Sequence, residues 1–137
     1  MLGIPLGPFP NNCAEAHKLY QKAFGMTINS VTYRDEFPEH CEPLTDETRK
    51  SVLHSECSIY GTRVNMSDYI SDEFKPESMR GFNVFLSSED DVRKVFNVLK
   101  EGGVVESEPQ PVFWSSLHCC VKDRFGVVWQ IMIDHGV

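Results

Sequence analysis

Two places in the chain gather residue types that can carry chemistry. The stretch "FWSSLHCCVKDRFGVVWQIM", residues 113–132, holds His118, the adjacent Cys119 and Cys120, and Gln130. Histidine and cysteine are metal ligands, and a histidine beside a cysteine can lower the thiol pKa and make a nucleophile. The stretch "VLHSECSI", residues 52–59, carries His54 and Glu56 two positions apart. On a strand that spacing puts both on one face. There they read as a base with its carboxylate, as two metal ligands, or as a hydrogen-bonded polar pair in a binding pocket. The plainer reading of the cysteines is packing, because free cysteine is among the most buried residue types. Two cysteines in sequence also point to opposite faces of a strand, so Cys119 and Cys120 cannot ligate one ion together. A third group, His40 and Cys41 in the acidic loop "DEFPEHCEPLTDETRK", has no ligand spacing. It reads as scattered loop polarity, with a surface metal clamp as the alternative.

Two helices and several strands must position these residues. In "NNCAEAHKLYQKAFG", Asn12 and Glu15 have capping-box spacing, Ala16, Leu19, Tyr20, Ala23 and Phe24 repeat at helical spacing, and Gly25 stops the run. In "SSEDDVRKVFNVLKEGG", Ser88 caps, Asp90 and Asp91 suit the first turn, Val92, Val95, Phe96 and Leu99 form a stripe, and two glycines end it. "KEGGVV" therefore ends a helix and is no phosphate loop. "GIPLGPF" precedes the first helix, and "MTINSVTYRD", "SVLHSECSIY" and "TRVNMSDY" follow it. "GFNVFLS" precedes the second, and "GVVESEPQPVF", "SSLHCCVKD" and "GVVWQIMID" follow it. Each half reads strand, helix, strand, strand, strand. The halves span about residues 1–70 and 81–137 of a single domain and are joined by the polar segment 71–80.

Alternation assigns faces. Leu53, Ser55, Cys57 and Ile59 oppose His54, Glu56 and Ser58. Val64 and Met66 oppose Arg63, Asn65 and Ser67. Phe82, Val84 and Leu86 oppose Asn83, Phe85 and Ser87. Leu117, Cys119 and Val121 oppose Ser116, His118 and Cys120. Trp129, Ile131 and Ile133 oppose Val128, Gln130 and Met132. In "INSVTY", Asn29 and Tyr33 fall on one face. The second face is mixed rather than solvent-like, which points to a concave sheet around a pocket, with helices covering the other side. Trp129 belongs under a helix, and Trp114 at a pocket rim.

Composition excludes several classes. The chain has 137 residues, 24% charged, with a formal net charge of -7 and no basic cluster. That balance repels nucleic acid and anionic membrane, and no apolar run reaches spanning length. "MLGIPLGPFP" reads as mature sequence rather than a signal peptide. Five cysteines, an odd number with two of them vicinal, argue against a disulfide scaffold and for a reducing cytoplasm.

The paired modules, together with "PFPNNCAEAHKLYQKAFG", "VLHSECSIYGTRVNMSD", "GFNVFLSSEDD", the "FW" at 113–114 and "KDRFGVVWQI", resemble the vicinal oxygen chelate superfamily. This is the glyoxalase, bleomycin-resistance and extradiol-dioxygenase fold, and the likeness is to its PhnB-like branch. The landmarks cover nearly the whole chain in order. The resemblance implies an α+β fold of two βαβββ modules forming a cup-shaped mixed sheet with helices outside, and a homodimer. It also implies, for the metalloenzymes of the superfamily, a divalent ion held by His and Glu or Gln from the first and last strands of each module. Carried onto this chain, Asp123 and Gly126 match the closing turn, and the ligand positions fall on Gln130, Asn65 and Asn83. "GIPLGPF" offers no ligand side chain. Neutral amides are weak ligands for zinc or nickel. The expectation is therefore a protein binding a small molecule in the cup without the family metal, and no cofactor. The binding residues would be Asn29, Tyr33, His54, Glu56, Asn65, Asn83, Phe85, Trp114, His118 and Gln130. The alternatives are a metal-dependent or acid–base enzyme (lyase, isomerase or dioxygenase) using His54 and Glu56, and a structural dimer without a small-molecule role.

Overall fold

The two apolar stripes become two helices, each laid across its own sheet. The computed structural model describes residues 2–40, 44–69 and 81–134. The chain divides into two compact units, Met1–Glu77 and Ser78–Val137. The first contains β1 (Ile4–Pro10), α1 (Cys13–Phe24), β2 (Thr27–Tyr33), β3 (Val52–Ile59) and β4 (Thr62–Tyr69). The second contains β5 (Gly81–Leu86), α2 (Glu89–Leu99), β6 (Val104–Val112), β7 (Ser115–Lys122) and β8 (Val128–Ile133). The strand orders are β1-β4-β3-β2 and β5-β8-β7-β6, so the element repeat is also a repeat of topology. In each unit the first strand pairs parallel to the last and the others pair antiparallel. The expected α+β fold of two βαβββ modules is present as two four-stranded mixed sheets, one per module. The joining segment 71–80, and Cys41 with the clamp weighed there, lie outside the described residues.

The second unit forms as its sequence dictates. Ser88 accepts the Asp91 N–H at 3.2 Å, and Val92, Val95, Phe96 and Leu99 are buried. Each of those four side chains contributes roughly 1.5–3 kcal/mol by leaving water. On β5, β7 and β8, against which α2 packs, Val84, Leu117, Cys119, Val121, Trp129 and Ile131 are buried as well. Between β7 and β8 the carboxylate of Asp123 is buried. It accepts the N–H groups of Phe125 (2.8 Å) and Val127 (3.1 Å) and the Trp129 indole N–H (2.8 Å). Gly126, at φ +89°, completes that turn where a side chain would be strained. Gly103 is needed for another reason. A Cβ there would stand 2.4 Å from the Lys122 carbonyl oxygen.

The first unit departs from expectation at its helix. Asn12 occupies the N-cap position but makes no side-chain cap bond, so the expected Asn12–Glu15 capping box does not form. Asp68, buried at the end of β4, takes the role from across the sheet. Its Oδ1 accepts the Cys13 N–H at 2.7 Å and its Oδ2 the Val52 N–H at 2.8 Å. A carboxylate fixed by tertiary structure at a helix N-terminus replaces a local cap, and it favours the positive end of the helix dipole. Gly25, in the left-handed conformation at φ 67°, closes α1 as expected.

Candidate functional site

Each sheet has one face under its helix and one face free of it. On the first sheet the free face carries His54, Glu56 and Ser58 of β3, with Asn65 paired to Glu56 and Arg63 paired to Ser58. The Glu56 carboxylate is ion-paired to the Arg63 guanidinium. The same oxygen lies 3.6 Å from His54 Nε2, and His54 is half exposed. The pair expected from spacing therefore exists, but as a triad whose carboxylate charge is already offset by Arg63. Exposed ion pairs of this kind contribute roughly 0–1 kcal/mol. Beside them the Asn65 Oδ1 is buried without a hydrogen-bond partner.

The grouping of Asn29 with Tyr33 needs correction. β2 pairs with β3 through two irregularities, between Ile28 and Ser30 and between Thr32 and Tyr33. Asn29 is the extra residue of the first bulge, and Ser30 and Thr32 are the residues opposite Glu56 and His54. A bulge shifts alternation by one residue, and nothing in "INSVTY" announces it. Tyr33 lies under the Lys50 ammonium, 5.8 Å from its ring centre.

On the second sheet the free face forms lateral rows. Asn83, Gln130 and Cys120 stand opposite one another across β5, β8 and β7, and Phe85, Met132 and His118 form the next row. Gln130 Oε1 lies 3.0 Å from His118 Nε2. The Trp114 ring stands edge-on to the His118 ring with centroids 5.4 Å apart, and Phe113 stands edge-on to Trp114 at 4.5 Å. Phe85 (57%) and Trp114 (49%) are exposed, whereas His118 is buried at 7%. Trp129, by contrast, is buried and packs on Phe82.

The surroundings of Cys119 and Cys120 favour the protonated thiol. Cys119 is fully buried on the helix side, and burial pushes its pKa up to about 12. Burial, and then the charge of Glu106, raise the Cys120 thiol as well. A reactive cysteine needs its pKa lowered, and His118 turns its Nε2 to Gln130. The vicinal cysteines occupy opposite faces as alternation requires.

A buried polar cluster under α1 escaped the sequence reading. His17 Nε2 lies 2.9 Å from Ser55 Oγ and 3.6 Å from Cys13 Sγ. Ser55 Oγ donates to the Met66 carbonyl oxygen at 2.8 Å and lies 3.9 Å from Cys57 Sγ. Because the single Ser55 hydroxyl proton goes to Met66, His17 Nε2 must carry the hydrogen of their shared bond. The available signal was positional. Cys13 and His17 are four apart on the stripe that also holds Ala16 and Tyr20.

The residues that the resemblance puts at the family's ligand positions, Asn65, Asn83 and Gln130, are neutral amides that do not fit a divalent metal, and the Gln130 carbonyl oxygen already faces His118. Among the described residues no three His, Cys, Asp or Glu side chains stand together as a cation site.

The sequence profile of the glyoxalase/bleomycin resistance protein/dioxygenase superfamily matches residues 8–131. The chain belongs to this superfamily. Among relatives, it is 28% identical over 142 residues to Protein YjdN of Escherichia coli (strain K12), spanning 95% of each chain. In structure the superfamily fold is shared with the PhnB protein of Bacillus cereus, with a TM-score of 0.80, 21% identity, and 97% and 98% of the two chains covered. It is shared also with protein PA1353 of Pseudomonas aeruginosa, with a TM-score of 0.79, 23% identity and 98% of each chain covered. The resemblance to this superfamily and the expected fold of two βαβββ modules are thus both found.

Proposed function

We propose that the chain binds a small, largely uncharged molecule on the helix-free faces of its sheets, as a homodimer in the cytoplasm, without the metal used by other members of the superfamily. The observation that carries this reading is the chemistry at the ligand positions. Asn65, Asn83 and Gln130 are neutral amides, and Gln130 is engaged by His118. Amides supply no charge to offset the dehydration of a divalent ion, but they suit hydrogen bonding to a neutral ligand. Half-exposed Phe85 and Trp114 supply apolar surface beside them. The acid–base alternative through His54 and Glu56 is weaker, since Glu56 is held by Arg63.

Metal analysis of the purified chain and of His54→Ala tests the reading. We expect substoichiometric metal in both, before and after incubation with manganese, nickel or zinc. Stoichiometric metal in the wild type that is lost in His54→Ala would favour the enzyme instead.

A further inference from the structure

We infer that the first half of α1 is a pH-gated cover: protonation of His17 releases residues 13–17 from β3 while the rest of both units stays folded.

Helix α1 is packed unevenly along its length. Its first half buries Cys13, Ala16 and His17, and its second half buries Leu19, Tyr20, Ala23 and Phe24. Burial stabilises in proportion to apolar area, so leucine, tyrosine and phenylalanine hold the second half far more firmly than cysteine, alanine and an imidazole hold the first. Polar contacts made across the sheet take over there. His17 Nε2 gives its hydrogen to Ser55 Oγ at 2.9 Å, and the Cys13 N–H goes to Asp68 at 2.7 Å. The N-cap residue Asn12 adds no side-chain bond of its own. A segment with little apolar packing opens locally before the whole fold does.

Helix α2 is the control built into the same chain. It has a local cap in Ser88, and its buried face is Val92, Val95, Phe96 and Leu99. No side chain on that face titrates.

His17 is 5% exposed. The titratable groups that α1 turns inward with it are Cys13 and Tyr20. Of the strands packed under α1, β1 carries none, β3 offers Cys57, and β4 offers Asp68, with the Arg34 guanidinium on the Asp68 carbonyl oxygen. The Asp68 carboxylate is taken up by the N–H groups of Cys13 and Val52. Opening carries the imidazole into water, where its pKa returns to about 6.5, whereas burial keeps it lower in the closed form. The open form then binds the proton more readily, so opening grows as the pH falls through that window. A group that ionises only when open raises the open population about tenfold between about pH 7.5 and 5.5. Opening uncovers the Cys13 thiol and the helix side of β3 at Ser55 and Cys57. The other face of that strand presents His54 and Glu56.

Amide hydrogen exchange on the whole chain tests the gate at two matched positions. The Ala16 N–H bonds the Asn12 carbonyl at 3.1 Å, and the Val92 N–H bonds the Ser88 carbonyl at 3.2 Å, each four residues from its N-cap. Corrected for the chemical exchange rate, Ala16 should exchange about tenfold faster at about pH 5.5 than at about pH 7.5, and Val92 should not change. In His17→Gln, which keeps a donor for Ser55, the Ala16 response should vanish. The gate is overturned by an Ala16 rate that ignores pH, by an equal response at Val92, or by a response that survives in His17→Gln. If His17→Gln does not fold, thiol labelling of the wild type decides. Cys13 and Cys119 are both fully buried, one on each helix. At about pH 5.5 a dipyridyl disulfide reagent should tag Cys13 at least about tenfold faster than Cys119. Equal rates, or Cys119 first, would overturn local opening.

Discussion

His17 is a histidine made structural by its surroundings. It is buried under α1, and burial lowers its pKa below the ordinary 6.5. Protonation would place a charge among Cys13, Ser55 and Cys57, with the Asp68 carboxylate at the nearby helix terminus. The sign of the resulting pH dependence follows. Below about pH 6.5 the unfolded chain takes up a proton at this position, while the native chain stays neutral until its own lower pKa is reached. The unfolded state then binds more protons, so stability falls as the pH drops through that window and is fully present above it. Urea unfolding of the wild type between about pH 8 and 5 should show this loss. His17→Gln, which keeps a donor for Ser55, should show a shallower slope. Identical slopes would mean that His17 titrates normally. The raised pKa of Asp68, caused first by burial, acts in the opposite sense, in a window that begins near 3.8.

At the scale of elements, local signals and tertiary signals separate cleanly. The start of α2 was legible to the residue because its cap is local, with Ser88 three positions from the N–H that it accepts. At the start of α1 the N-cap position, Asn12, was legible but the capping group was not, because that group is Asp68, fifty-five positions from the Cys13 N–H that it accepts. The same contrast explains β2, where a bulge set by pairing with β3 displaced Asn29, whereas the unbroken register of β5 and β8 kept Asn83, Phe85 and Gln130 on the face that alternation assigned. Sequence periodicity reports on a strand by itself, and register is a property of two strands. The consequence is measurable by thermal or chemical denaturation. Ser88→Ala should cost about 1 kcal/mol. Asn12→Ala should cost only a few tenths, since its side chain makes no cap bond. Asp68→Ala should cost the most, roughly 3 kcal/mol or more, because it strands the buried N–H groups of Cys13 and Val52. An Asn12→Ala loss as large as that of Asp68→Ala would restore the local cap and contradict the structure.

At the scale of the whole molecule, the repeated βαβββ topology was readable before any motif, since element order survives where identity between the halves does not. The helix-free faces were readable too, from the alternation in β3, β7 and β8. What alternation could not supply was partnership: that Arg63 holds Glu56, and that Gln130 orients His118. Those contacts cross strands, and they leave an offset charge at His54 and Glu56 and a neutral row around His118. The superfamily fold fixes the platform, and the side chains on its open faces decide what it can hold. The most direct measurement is a two-dimensional NMR titration of metal-free protein, in chelator, with 2-naphthol as a small uncharged probe. The account predicts saturable shifts centred on Asn83, Phe85, Trp114, His118 and Gln130. Shifts that appear there only after a divalent metal is added would contradict it.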